Sequence, residues 1–244
     1  GYTTLTEKSF LMVLDSGTVT PPQGGALQAA GTVFKVADLS RRPGFAEIAL
    51  RAEGPVGAML SLLDQPPLTL MTRAGQPTDL AEGRAEVTAE IGVELRKGIT
   101  PKDVAYAVNG TLFDIVSDRI VRDRVLRADR LTLTADNEVL SISGAATLDG
   151  VPVTGVWTQK MGSDNAGQSR VDGTVELSQR ALDAFDIGLP RGTVTGAGVG
   201  NIALDLVKDA PVAFTLTSDL NRIGLRLPSV GWSKGRASTG ALRI

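Results

Sequence analysis

Leu131-Thr132-Leu133-Thr134-Ala135-Asp136-Asn137-Glu138-Val139-Leu140-Ser141-Ile142-Ser143-Gly144-Ala145-Ala146-Thr147-Leu148-Asp149-Gly150-Val151 is the stretch whose reading decides the fold. Leu131 and Leu133 oppose Thr132 and Thr134; Leu140, Ile142, Ala146 and Leu148 oppose Ser141, Ser143 and Thr147. A period of two sends the apolar set to one side of a pleated chain and the hydroxyls to the other. Asp136-Asn137 before Val139 and Asp149-Gly150 before Val151 supply residues suited to tight turns. Strands joined so closely pair antiparallel, because a parallel pair needs a crossover of about a dozen residues or more. The stretch predicts a meandering antiparallel sheet.

The pattern extends in both directions. Ala46, Ile48, Leu50 and Ala52 oppose Glu47, Arg51 and Glu53, and Val171, Val175 and Leu177 oppose Asp172, Thr174 and Glu176. Ile202, Leu204 and Leu206 continue it, as do Val212, Phe214 and Leu216 after the turn Asp209-Ala210-Pro211, and then Leu225 and Leu227. Gly and Pro make up 40 of the 244 residues and punctuate these runs. Two segments read as helical: Pro55 to Leu63, ending at Asp64 before Pro66, and Ser178 to Phe185, which starts on a capping Ser. A coarse repetition of strand, short helix and further strands spans 44–162 and again 171–234, each half closing on a Trp, in Gly155-Val156-Trp157 and Val230-Gly231-Trp232. Residues 1–43 read as strands continuous with 44–244 in one domain.

Composition narrows the chemistry. Twenty-five Lys and Arg against 27 Asp and Glu give a net charge of −2, without the basic excess that nucleic-acid binding requires. The chain holds no His and no Cys, which excludes disulfides, the usual zinc sites and the Ser-His-Asp and Cys-His nucleophile systems, so no cofactor, metal or catalytic residue is assigned. The longest uncharged stretch, Ser16 to Phe34, is broken by Pro21, Pro22, Gly24 and Gly25 and does not read as a membrane span. The sequence opens on Gly1 without the pattern of a secretory signal, and is read as a piece of a longer protein whose targeting signals lie outside it.

Several local motifs have simple readings. Asp15-Ser16-Gly17 matches one nucleophile-water loop of aspartic proteases, but that chemistry needs two, and a turn closing a strand from Ser9 to Leu14 suffices. Gly196-Ala197-Gly198-Val199-Gly200 misses the dinucleotide spacing and reads as a glycine-rich bend in a strand. Asn109-Gly110-Thr111 has the form of a glycosylation acceptor and of a turn, and is given no role. The run from Asp118 to Arg130, with Arg119, Arg122, Arg124, Arg127 and Arg130 among Asp118, Asp123 and Asp129, fits a solvated loop or sheet rim, or a docking patch for acidic headgroups or a partner. The acid pairs Asp183 with Asp186 and Glu82 with Glu86 say little without geometry.

The apolar stripe remains. Two helices of about nine residues reach only ~14 Å each at 1.5 Å per residue, too short to cover an extended sheet. Either a second sheet seals the apolar face as a sandwich, or the sheet curls into a trough open to an apolar guest. With only ten aromatic residues, a lining of Leu, Ile, Val and Ala suits acyl chains better than bases or sugars.

Gly54-Pro55-Val56-Gly57-Ala58-Met59-Leu60-Ser61-Leu62-Leu63-Asp64-Gln65-Pro66-Pro67-Leu68 resembles the segment "leucine-rich turn, Asp, x, Pro-Pro-Leu" of AsmA-like proteins of the YhdP type. Gly83 to Val87, Leu131 through Gly144, and Gly150-Val151-Pro152-Val153 to Trp157 are similar to that family's following strands. Ser218-Asp219-Leu220, Leu225 to Pro228 and Gly231-Trp232-Ser233-Lys234 are similar to its closing pattern, so the likeness covers about residues 44 to 235. The resemblance implies a central or C-terminal slice of a long periplasmic protein of Gram-negative bacteria, tethered in the inner membrane by an anchor outside this segment. It implies a strongly curved antiparallel β-trough with two short helices that carries phospholipid acyl chains between the inner and outer membranes, without catalytic residues.

The expected function is therefore non-enzymatic lipid conduction, with Ile48, Leu50, Leu131, Leu133, Leu140, Ile142, Leu148, Val153, Phe214, Leu216, Leu225 and Leu227 facing the lipid. A closed β-sandwich serving as a structural or adhesive module is the alternative and predicts a dry core. A carboxylate hydrolase predicts two acids converging in a cleft with shifted pKa values.

Overall fold

The computed structural model describes residues 1–100, 103–162, 165, 167–208 and 210–244. It is 54% strand and 10% helix, built as one large open antiparallel sheet of 17 strands that does not close into a barrel. The first 43 residues supply β1 (Tyr2–Leu5), β2 (Phe10–Val13), β3 (Thr18–Val19), β4 (Leu27–Gln28) and β5 (Val33–Val36). The long strands follow: β6 (Gly44–Pro55), β7 (Glu82–Leu95), β8 (Val104–Ser117), β9 (Leu126–Asp136), β10 (Val139–Leu148), β11 (Val151–Lys160), β12 (Gln168–Ser178) and β13 (Val194–Val207). β14 (Ala213–Ser218), β15 (Ile223–Leu227), β16 (Trp232–Lys234) and β17 (Leu242–Arg243) end the chain. Pairing runs β1, β2, β5 and then β6 through β14 in sequence order, each neighbour antiparallel. β3 and β4 add beside one half of β6, β15 and β16 beside the start of β13, and β17 beside β14.

Two of the three expected turns form where the chemistry placed them. Asp149 and Gly150 both take positive φ between β10 and β11, and the Asp136 carboxylate accepts from the amides of Glu138 and Val139 at 2.8 Å between β9 and β10. Of the third expected turn, Asp209 lies outside the described residues. Asn109-Gly110 is no turn: it sits in the middle of β8, paired with Thr134 and Leu133.

Both expected helices are present. α1 (Val56–Leu63) starts directly from β6 at Pro55, whose fixed φ and missing N–H suit a helix entry. α3 (Gln179–Ala184) is capped by Ser178 Oγ, which accepts from the Ala181 amide at 3.3 Å. Among the described residues the count of two is corrected to three by α2 (Leu70–Ala74). Thr69 at the N-cap of α2 makes no side-chain capping bond; Asp64, eight residues before Thr72, accepts from the Thr72 amide at 2.7 Å and hydroxyl at 2.8 Å.

β6, β8, β10 and β12 run in one direction, so α1 with α2, the 118–125 loop, the 149–150 turn and α3 all gather at the same end of the sheet. This end holds most of the core. Ala58, Met71, Ile115, Val151, Ala181 and Ile223 are buried here, with Ala58 and Val151 at 0% exposure. A line of irregular backbone crosses the sheet beside it. Asp114 on β8 takes a φ of +53°, and the register between β7 and β8 shifts between Glu82 and Arg84. The extra residue keeps Ile115 on the apolar side, 3% exposed. Opposite it Gly83 has a φ of +126°, and a Cβ there would lie 2.7 Å from the Phe113 carbonyl oxygen.

Candidate functional site

The registers assemble the apolar face one residue per strand. Starting on β6, Ala52 pairs with Val87, Val87 with Gly110, Gly110 with Leu133, and Leu133 with Ile142. The row continues from Ile142 to Trp157, Val171, Leu204 and Phe214. Directly paired residues point to the same side, so nine adjacent strands present a row without a single polar side chain. The next residue on each strand gives the opposite face: Glu53, Glu86, Thr111, Thr132 and Ser143, then Val156, Asp172, Ala203 and Thr215. Charges on this polar face neutralise one another. Lys35 meets Glu47 at 3.2 Å, Arg84 meets Glu53 at 2.9 Å, and Arg170 lies between Asp172 at 2.6 Å and Asp205 at 2.7 Å.

The two faces treat the same side chain differently. Ala46, Ala85, Ala89 and Ala128, on the apolar side, are at most 6% exposed, whereas Ala49, Ala105, Ala107 and Ala145 on the polar side are exposed. Crowding by large neighbours on a face that curls toward itself shades a methyl group; the outward side of the same sheet leaves it in water. The large apolar residues nevertheless stay only half-buried. The chain exposes 15055 Å², against about 10,400 Å² for a compact monomer of 25.5 kDa. The difference, roughly 4,700 Å², is what a single uncovered layer leaves in water.

The expected lipid-facing residues map onto this face. Ile48, Leu50, Leu131, Leu133, Leu140, Ile142, Leu148 and Val153 are all half-buried on it. Leu216 shares the face but is buried, 8% exposed, because β17 covers its edge; Phe214 on the open part of that edge is 47% exposed. Leu225 and Leu227 stand apart on the short β15, where Leu225 pairs with the buried Val194 beside the packed end. Alternation along β7 and β8 also brings in Ile91, Val93, Tyr106 and Val108, which the sequence reading passed over although their period of two was legible. β2 and β5 add Met12, Phe10 and Phe34, the two rings meeting edge to face at 5.9 Å. The Tyr106 phenol is pushed above its usual pKa, first by burial and then by Asp136 nearby, as expected for a group on a poorly hydrated surface.

The other motifs are structural. Asp15-Ser16-Gly17 closes β2, and the Gly1 ammonium lies 3.1 Å from Asp15. Gly196, Gly198 and Gly200 lie within β13, where a Cβ on Gly198 would come within 2.7 Å of Ile223 and one on Gly200 within 2.6 Å of Leu216. The arginine-rich run divides into a rim loop and the start of β9. Arg124 ties the loop to the Asp149 turn at 3.1 Å and to Asp186 at 3.3 Å, Arg119 meets Asp79 at 2.6 Å, and Arg130 stacks with Arg84 on the Phe113 ring, at 5.3 and 4.5 Å. The shifted carboxylates Asp38, Asp64, Asp103, Asp136, Asp149, Asp172 and Glu176 all move down, held by hydrogen bonds from amides, hydroxyls and guanidinium groups. Among the described residues no three potential ligands cluster to hold a metal ion, and no helix is long and apolar enough to cross a membrane.

Comparison with known protein families, with curated proteins and with solved structures finds no match.

Proposed function

We propose that this chain is a segment of a periplasmic lipid-transfer protein of the AsmA-like, YhdP type, shielding phospholipid acyl chains on its apolar sheet face between the inner and outer membranes. The observation that carries this reading is the uncharged row from Ala52 to Phe214, left without a second layer across nine strands. An acyl chain of about sixteen carbons with half of each methylene covered gains on the order of 6 kcal/mol, at ~0.8 kcal/mol per buried CH₂. The row spans eight interstrand gaps, about 38 Å at ~4.8 Å each, long enough for an extended chain. Headgroups stay in water at the margin, and movement follows a gradient or an outside energy source. A sealed sandwich would need a covering layer over the same leucines, and a carboxylate hydrolase would need an acid shifted upward; the open sheet and the downward shifts favour neither.

The test is photocrosslinking combined with mass spectrometry of the chain purified by native extraction. Crosslinkers replacing Leu133 or Ile142 capture phospholipid, and those replacing Thr132 or Ser143 on the polar face do not. Equal labelling from both faces, or no copurifying lipid and no crosslink from either, overturns the proposal.

A further inference from the structure

We infer, on the lipid reading above, that a bound phospholipid lies along the strands, with its phosphate headgroup at the margin opposite the helices and its acyl chains pointing toward α1 and α3. The two long margins of the apolar face are unlike. Toward the helices the face is closed: Ala85, Ile115, Ala128 and Val151 are at most 5% exposed. Polar groups at this end are spent inside, Ser117 Oγ donating to the Leu80 carbonyl at 2.6 Å and Ser218 Oγ to that of Val199 at 2.7 Å. Toward the other end no α-helix lies over the face among the described residues, and Ile48, Ile91, Leu140 and Leu206 stay half-buried. An apolar chain therefore has its way in from that side.

The depth of the open strip fits one chain. Six residue steps lead from Gln159 to Val153 on β11 and from Tyr106 to Leu112 on β8, about 20 Å at ~3.3 Å per residue. One leaflet occupies half of the ~30 Å hydrocarbon core of a bilayer, about 15 Å. A chain running along the strands is thus accommodated before Val151 and Ile115 close the strip, and the nine-strand row takes several such chains side by side.

The open margin also carries what a headgroup needs. Tyr106 pairs with Ile91, Gln159 with Leu140 and Ser169 with Leu206, so a phenol, an amide and a hydroxyl stand on the apolar side at its outer limit. Side chains with an apolar body and a polar tip, such as Tyr106, suit a boundary between oil and water. Exposed cations border the same margin: Lys8 before β2, Arg41 before β6, Lys97 after β7, Lys160 ending β11 and Lys208 after β13. The carboxylates of Asp38, Asp103 and Asp136 are turned into their own loops, accepting from the amides of Ser40, Thr100 and Glu138 at 2.8 Å. Glu7, Glu94 and Glu138 share the margin, so the cations are separate contact points rather than a uniformly basic surface. A lysine ammonium serves a phosphate as such a point charge. At the helix end the arginines are instead committed to acids, Arg119 to Asp79 at 2.6 Å, Arg122 to Asp123 at 3.4 Å and Arg124 to Asp149 at 3.1 Å.

Two photoactivatable phosphatidylcholines test the orientation on the purified chain, one with a diazirine in the headgroup and one with a diazirine at the end of an acyl chain, the labelled residues being read by mass spectrometry. The headgroup probe labels Tyr106, Gln159 and Ser169, and the chain-end probe labels Leu112, Leu148 and Val153. Lys160→Glu combined with Lys208→Glu lowers capture of both probes several-fold, whereas Arg122→Glu at the helix end leaves it unchanged. All three side chains are exposed, and unchanged melting curves confirm that the variants fold. Labelling by both probes at the same positions, labelling in the reverse order, or charge reversal without effect overturns the orientation while leaving lipid binding intact. No labelling by either probe overturns the orientation together with the lipid reading on which it rests.

Discussion

Truncating Leu133 and truncating Leu27 separates an open apolar face from a sealed core. Leu27 is 2% exposed, and its side chain lies against Gly54, where an added Cβ would sit 2.7 Å from Leu27 Cδ2. Leu27→Ala removes three buried carbons, ~2.4 kcal/mol of transfer free energy at ~0.8 per group, and leaves a void, for a total of about 3.5 kcal/mol. Leu133 is half-buried in the middle of the apolar row. Leu133→Ala exposes less new surface, and water fills the space, so the expected loss is about 1.5 kcal/mol. Urea unfolding should show the Leu27→Ala midpoint falling roughly twice as far as that of Leu133→Ala. The chain has no cysteine, so a single introduced thiol reports accessibility without competition. Leu133→Cys should react with a maleimide in the native protein, and Leu27→Cys only after unfolding. Equal midpoint losses together with equally slow labelling would show that a second layer covers the face, and the reasoning from sheet to lipid would fail.

Asp149 is held below the ordinary carboxylate value of 3.8 by the Val125 amide at 2.9 Å and by Arg124. Its contribution is complete above that value and is lost as pH falls through the lower folded value, so Asp149→Asn should destabilise at neutral pH while its difference from the parent closes in acid, read by urea melts across pH. Ser178→Ala should cost about 1 kcal/mol by removing the α3 cap; thermal melts check this, and no measurable loss would mean that packing alone fixes the helix. Lys234 donates to the carbonyls of Leu220 and Ile223 at 2.8 Å and also meets those of Gly235 and Ser238. Lys234→Met should therefore speed amide exchange across 235–244 with little effect on β7 and β8, and uniform exchange changes would argue against a local pin.

The antiparallel meander was legible because its determinants are local. Alternation in 131–148 and the Asp-containing turns after it act within a few residues of one another, and Ser178 caps the helix that it begins. α2 was not legible from local signals alone, because Thr69 at its N-cap makes no side-chain capping bond and the hydrogen bonds that hold its first turn reach from Asp64 past two prolines. Asn109-Gly110 carries turn chemistry, yet β7 and β9 pair on either side of it and hold it extended. The candidate site divides in the same way. Face membership for Ile48, Leu133 or Ile142 follows from a period of two, whereas the burial of Leu216, the exposure of Phe214 and the separate place of Leu225 depend on which strand covers which edge.

Taken alone, the amino-acid order determined that this chain makes antiparallel strands with one oily side and one polar side, since side-chain direction in a strand depends only on parity. Only the tertiary structure decided that twelve strands would lie side by side in one open layer without a second sheet across the leucines. That choice depends on hydrogen-bonded pairing between residues distant in sequence and on bulges such as Asp114 that re-aim a strand, and neither leaves a mark in the local pattern.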